Sequence, residues 1–151
     1  MAEPVRLGLD AGETLAYEAL VASGTAPANA RATARALVAA EADGQTGHGL
    51  SRVPSYALQA RTGKVDGHAT PRLEQVAGAA LRVDGGLGFA YPAIDRAIAA
   101  LAPLARSQGI AAAALYHSHH FGQAGAHAER LASRGLVAIV LGNSPKAMAF
   151  W

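Results

Sequence analysis

Ile110-Ala111-Ala112-Ala113-Ala114-Leu115-Tyr116-His117-Ser118-His119-His120-Phe121-Gly122-Gln123-Ala124-Gly125-Ala126-His127 is the stretch that decides the fold. An apolar run, Ile110–Tyr116, gives way to a short polar loop and then to a helical pattern over 124–133. Strand, loop, helix is the unit from which α/β layers are built. Four of the six histidines fall in this one segment. Backbone N–H groups at a helix start are free and point outward, which favours an anion such as a cofactor phosphate. Gly122 and Gly125 let a ligand approach the main chain closely.

Working outward, the same alternation repeats. Ala79–Val83 reads as a strand closed by Asp84-Gly85-Gly86, and residues 90–107 as a helix with Ile94, Ile98, Leu101 and Ala105 inward. Pro92 suits the first turn of that helix, whereas Pro103 should kink it or end it early. A further apolar strand is expected over Leu136–Leu141, followed by Gly142-Asn143-Ser144-Pro145. Strands without polar alternation are expected to be covered on both faces. Residues 63–78, with Gly63, Gly67, Pro71 and Gly78, read as a connector. The cluster Gly85-Gly86-Leu87-Gly88 is not the Gly-x-Gly-x-x-Gly pattern in its strand–helix frame, so it reads as a turn.

Upstream the periodicity is helical. Residues 12–23 and 26–42 form two helices, the second with Ala30, Thr33, Ala34, Leu37 and Val38 on a buried stripe. Residues 51–61 form a third, with Ser51 as a candidate cap and Pro54 in the first turn. The expected fold is therefore α/β: an N-terminal helical layer (1–66) followed by part of a mixed sheet with flanking helices (67–151).

The third helix carries chemistry at its start. Gly47-His48-Gly49-Leu50-Ser51-Arg52-Val53-Pro54-Ser55-Tyr56 sets an imidazole, a guanidinium and a phenol close together. Arg52 and Tyr56, four apart, share a helix face. A guanidinium grips a carboxylate in a bidentate fork, and an imidazole beside it exchanges a proton near neutral pH. A small 2-oxo or 2-hydroxy acid needs both.

Composition narrows the classes. The 13 basic and 11 acidic residues are scattered without a basic cluster, so no nucleic-acid footprint is expected. There is no cysteine, hence no disulfide or thiolate chemistry. Met1-Ala2-Glu3-Pro4 lacks the basic and apolar regions of a secretory signal, and no apolar run is long enough to span a membrane. A soluble cytoplasmic protein is the expectation.

In order and spacing the chain resembles the malate/L-lactate dehydrogenase family of the second type, which includes sulfolactate and ureidoglycolate dehydrogenases and cyclic-imine carboxylate reductases. The residues that carry the resemblance are Ala42-Asp43-Gly44, His48-Gly49, Arg52, Pro54, Tyr56, Gly63-Lys64-Val65, Val83-Asp84-Gly85, Gly88, Gln108-Gly109-Ile110, His119 through Gly125, and Gly135-Leu136 through Asn143-Ser144. The resemblance implies hydride transfer between NAD or NADP and C2 of a small carboxylate. It places His48 and Arg52 at the substrate; Tyr56, on the helix face of Arg52, is expected in the substrate region as support for Arg52 and not as a catalytic group. It places His120 and Ser144 beside substrate and nicotinamide, and Phe121, Gly122, Gln123 and Ala124 in the cofactor loop. Either His48 or His120 is the acid/base. The resemblance also implies a homo-oligomer and a nicotinamide site unlike the doubly wound dinucleotide fold.

The chain departs from the family pattern in three places. Many relatives have Ser where this chain has Gly47, some using it in a proton relay with a later Asp. Phe150-Trp151 stands where the family has Pro-Trp-Gly-Gly. Family members are more than twice this length, so a truncated chain, half of a split enzyme needing a chain with the remainder, or a non-catalytic fragment are alternatives. A metalloenzyme is a further one: His117 and His119, two apart on a strand, point the same way, with His120 and His127 near. Against it, no acidic residue lies in the cluster, and no metal ligand set is assigned.

Overall fold

The computed structural model describes residues 5–143. Two helices, α1 (Leu9–Ala22) and α2 (Pro27–Ala42), lead into two 3-10 turns (Thr46–His48 and Leu50–Arg52) and α3 (Val53–Arg61). Strands β1 (Arg72–Ala77) and β2 (Ala80–Gly88), helix α4 (Ala90–Gln108), strand β3 (Ala112–Ser118) and helix α5 (Ala124–Ala132) follow. The sheet order is β1-β2-β3, antiparallel between β1 and β2 and parallel between β2 and β3. A helical layer followed by a mixed sheet is the architecture expected from sequence, with β2-α4-β3 as a parallel crossover unit.

Apolar burial explains the assembly. Leu20, Ala30, Leu37, Tyr56, Val65, Phe89 and Tyr91 form one buried cluster that joins the N-terminal helices to the start of α4. Val83 on β2 packs against Ala93 and Ala97 of α4, with Ala113 and Leu115 of β3 beside them. The side chain of Asn29, buried on α2, donates to the carbonyls of Gly67 and Ala69 at 2.9 Å each. The apolar cluster and these bonds cross the division expected at residue 66.

Several local expectations are corrected. α3 begins at Val53, so Ser51 lies in a 3-10 turn, and its hydroxyl donates to the Thr46 carbonyl instead of capping the helix. β1 occupies residues read as a connector; it is an edge strand of mostly exposed residues and shows no hydrophobic alternation to read. α4 runs through Pro103 to Gln108. Pro103 is exposed, as is Ala99, whose carbonyl loses its helical donor there. Water can satisfy that carbonyl, while Ala97, Ile98 and Ala102 hold the opposite face in the core.

Residues 85–88 form an irregularity inside β2, where pairing with β3 skips from Asp84 to Gly88. The Asp84 carboxylate accepts from the Gly86 N–H at 2.9 Å, an Asx-type turn. β3 is covered on one face only, with Ala112 and Ala114 exposed. Leu136–Leu141 forms no strand among the described residues. Leu136, Ala138 and Val140 are half-buried, but Val137, Ile139 and Leu141 are 99%, 84% and 88% exposed. The alternation is that of a strand, yet none of β1, β2 and β3 pairs with this segment.

Candidate active site

Two loops make the site. The first is the turn between α2 and α3. Glu41, near the end of α2, accepts the Leu50 N–H at 2.8 Å and draws the turn onto the helix. Gly49 makes this possible: a Cβ there would lie 2.1 Å from the Glu41 carboxylate and 3.0 Å from its Cα. The Arg52 Nε donates to the Gly47 carbonyl, so the guanidinium is tied to the segment that carries His48. His48 is half-buried, and its Nδ1 is buried without a partner.

The second loop joins β3 to α5. The His119 N–H donates to the Gly88 carbonyl at 2.9 Å, holding the loop against β2. His119 itself turns inward. Its ring meets Tyr56 and Phe89 edge-on, with centroids 4.8 and 5.6 Å away, and its Nε2 bonds the Gln59 amide oxygen at 3.0 Å. Burial, and then the charges of His120, Lys64 and Arg52, push its pKa down to about 4. His119 is therefore a neutral packing residue.

His120 turns the other way and stacks on His48, with ring centroids 5.3 Å apart and planes 20° from parallel. The Tyr56 hydroxyl lies 3.0 Å from its Nδ1, and the Gly122 N–H donates to the same nitrogen at 3.2 Å. The loop crowds the ring, and the desolvation, followed by the Arg52 and His48 charges, lowers its pKa. Tyr56 is buried, and that burial raises the pKa of its phenol. The Tyr56 hydroxyl thus reaches His120, and the Arg52 charge acts on the same phenol.

The remaining loop residues are held from below. His127, buried on α5, bonds the Phe121 carbonyl through Nε2 at 2.7 Å. The Phe121 ring packs against Ala90, Ile94 and Ile98 of α4. Gln123 donates to Asp43 at 3.1 Å, linking the two loops. Ala124 opens α5, whose first turn has no side-chain cap. Ser144 lies outside the described residues.

The imidazoles that suggested a metal do not converge. His117 has a left-handed backbone (φ 48°) and faces Asp84 at 3.3 Å, while His119, His120 and His127 face Gln59, Tyr56 and the Phe121 carbonyl. Among the described residues no group of three His, Cys, Asp or Glu side chains is placed to share an ion.

The fold that carries these loops has counterparts in known proteins. The sequence pattern of malate/L-lactate dehydrogenases matches residues 9–151. The chain belongs to the malate/L-lactate dehydrogenase family. It is 52% identical over 145 residues to the (2R)-3-sulfolactate dehydrogenase (NADP(+)) of Chromohalobacter salexigens, covering 96% of this chain and 43% of that protein. It is 41% identical over 138 residues to the Delta(1)-pyrroline-2-carboxylate reductase of Ancylobacter novellus, covering 91% and 40%. The crystal structure of the delta1-piperideine-2-carboxylate reductase of Pseudomonas syringae superposes with a TM-score of 0.83 at 36% identity, over 87% of this chain and 40% of that one. The malate dehydrogenase of Pyrococcus horikoshii gives 0.80 at 25% identity, over 87% and 38%. The chain thus spans about two-fifths of the length of these relatives.

In this member of the malate/L-lactate dehydrogenase family, sequence reasoning overlooked three residues that hold the site: Glu41 at the end of α2, Gln59 behind His119, and Tyr91 beside Tyr56. Tyr91 is buried, and desolvation, then the neighbouring Tyr56, raises its pKa strongly. None belongs to a pattern readable along the chain, because each acts on a residue outside its own element.

Proposed function

We propose that this chain carries the substrate-binding and proton-transfer end of an NAD(P)-dependent oxidoreductase acting at C2 of a small 2-hydroxy or 2-oxo acid, or of a cyclic imine carboxylate. The observation that supports this reading is the His48–His120 stack at 5.3 Å beside Arg52. Arg52 binds the carboxylate as a fork. One imidazole moves the proton and the other orients the oxygen or nitrogen on C2. Bound nicotinamide supplies or accepts the hydride.

The residues present suit such a cofactor. Gly122 and Gln123 lead into the uncapped first turn of α5 at Ala124, where free N–H groups favour phosphate, and the buried amide oxygen of Gln123 has no partner. Residues 120–124 and Ser144 are assigned to this role. Residues 1–66 form the helical part of the substrate region and 67–151 the first part of the nicotinamide-binding region. The names of the relatives agree in one respect: sulfolactate and the cyclic imine carboxylates each carry the reacting carbon next to a carboxylate.

A second reading has its own observation. Val137, Ile139 and Leu141 leave an apolar face bare, and the chain matches about two-fifths of its relatives. Activity then needs a further polypeptide surface, from a homo-oligomer or from a chain supplying the rest of the family's length, in a cytoplasmic setting. One experiment addresses both readings. Absorbance of reduced nicotinamide is followed with NAD or NADP and a panel of 2-hydroxy acids and cyclic imine carboxylates, using the full chain alone and with any co-purifying polypeptide. Acid-dependent turnover that Arg52→Ala abolishes supports the assignment. Failure to bind both carboxylate and nicotinamide in every assembly rejects it.

A further inference from the structure

We propose that Tyr56 and the Gly122 backbone N–H hold His120 as the neutral imidazole with its proton on Nε2, which makes Tyr56 a positioning residue for His120. A backbone N–H can only donate, so the 3.2 Å bond from Gly122 requires a bare lone pair on Nδ1. The Tyr56 hydroxyl, 3.0 Å from the same nitrogen, is then a donor as well. Neutral imidazole carries one proton, and Nε2 is the place left for it. Protonating Nδ1 would turn an N–H against the Gly122 N–H, break that bond and force the Tyr56 hydroxyl to turn round as an acceptor.

The surroundings favour the same state. The ionisable groups around His120 are Arg52 at the start of α3, His48 on the preceding turn, His119 next in the chain and Tyr56, with Tyr91 of α4 behind Tyr56. None of these is an anion at neutral pH. The second donor is also fixed in place. Gly122 has φ 71°, and a Cβ on it would fall 2.7 Å from the Tyr91 hydroxyl, so the residue that aims this N–H has no room for a side chain.

The consequence rests on the reading that His120 meets the substrate. An imidazole locked as Nε2–H offers a hydrogen bond without gaining or losing charge, and the exchangeable proton falls to His48. His48 Nδ1 has no such donor on it.

The full chain, labelled with 15N in histidine, tests this by long-range 1H–15N NMR without substrate or cofactor. At neutral pH the His120 Nδ1 should resonate as an unprotonated nitrogen and Nε2 as a protonated one. In Tyr56→Phe the loss of a bond to the neutral form should raise the His120 titration midpoint by about one pH unit, tenfold in proton affinity. The His127 signals should stay in place. A wild-type ring protonated on Nδ1 overturns the proposal, as does a Tyr56→Phe protein whose His120 shifts and midpoint are unchanged. Should Tyr56→Phe not fold, the wild-type tautomer and Gly122→Ala decide. An Nε2–H ring in a chain that binds neither carboxylate nor nicotinamide in any assembly would sink the functional reading and leave the tautomer standing; an Nδ1–H ring in a chain that binds both would do the reverse.

Discussion

The rings of His48 and His120 stack face to face at 5.3 Å although 72 positions separate them in sequence. Desolvation, then the charges of Arg52 and His48, hold His120 below its usual range. In the catalytically competent assembly, His48→Gln should lower kcat by roughly 100- to 10,000-fold, the range for loss of a proton-transfer group. His120→Gln should weaken kcat/KM, and the double variant should lose little more than the worse single one, because the rings act as a unit. Steady-state rates of the three variants check this; simple multiplication of the two single effects would show that the rings work independently.

Arg52 is the second prediction. Removing a charged bidentate contact costs about 3 kcal/mol, so Arg52→Ala should raise KM for the acid and reduce kcat/KM by about two orders of magnitude. Arg52→Lys should recover little. An ammonium lacks the fork, and it also lacks the Nε–H that ties the side chain to the Gly47 carbonyl. An Arg52→Lys enzyme with near-normal KM would assign carboxylate recognition elsewhere.

Local pattern and fold class were legible where one segment contains its own signal. The stripe of α2, the apolar run of β3 and the helix start after Gln123 all declare themselves by period and by flanking glycine. The candidates His48, Arg52 and His120 also stood out in the sequence, as chemistry concentrated in two short motifs, and the fold brings the two rings together. β1 was not, because an exposed edge strand has no apolar alternation and exists only through pairing with β2. The continuation of α4 through Pro103 was not, because it depends on Ala99 facing water. The bond between Tyr56 and His120 was not legible for the same kind of reason. Helical spacing brought Tyr56 to Arg52, but its hydroxyl answers to a histidine that the fold delivers from 64 residues away.

Gly49 tests how the first loop is built. A methyl group there would fall 2.1 Å from the Glu41 carboxylate and 3.0 Å from its Cα, and the Cα cannot swing aside. Gly49→Ala should therefore destabilise the fold by about 1–3 kcal/mol, as overpacking does. It should also displace His48 from His120. Urea unfolding measures the first effect and the ring chemical shifts of the two histidines the second. Glu41→Gln, which keeps an acceptor for the Leu50 N–H, should fold nearly as well as the parent.

Stability should fall as the solution is acidified, in a window set by His119. Its pKa is about 4 in the folded chain against an ordinary 6.5. Between those values the unfolded chain binds a proton that the folded chain refuses. Stability therefore rises with pH across that interval, and it is lost as pH falls from about 6.5 towards 4. Burial lowers His120 and His127 as well, so they act in the same sense. Asp84 is also held low, chiefly by the Gly86 N–H, but its ordinary value is 3.8 and its window lies below that of His119. Urea midpoints at pH 7, 6, 5 and 4 should decline in that order. In His119→Phe, an uncharged ring set between Tyr56 and Phe89, the decline should be shallower. A slope unchanged by His119→Phe would assign the acid sensitivity to His120 and His127.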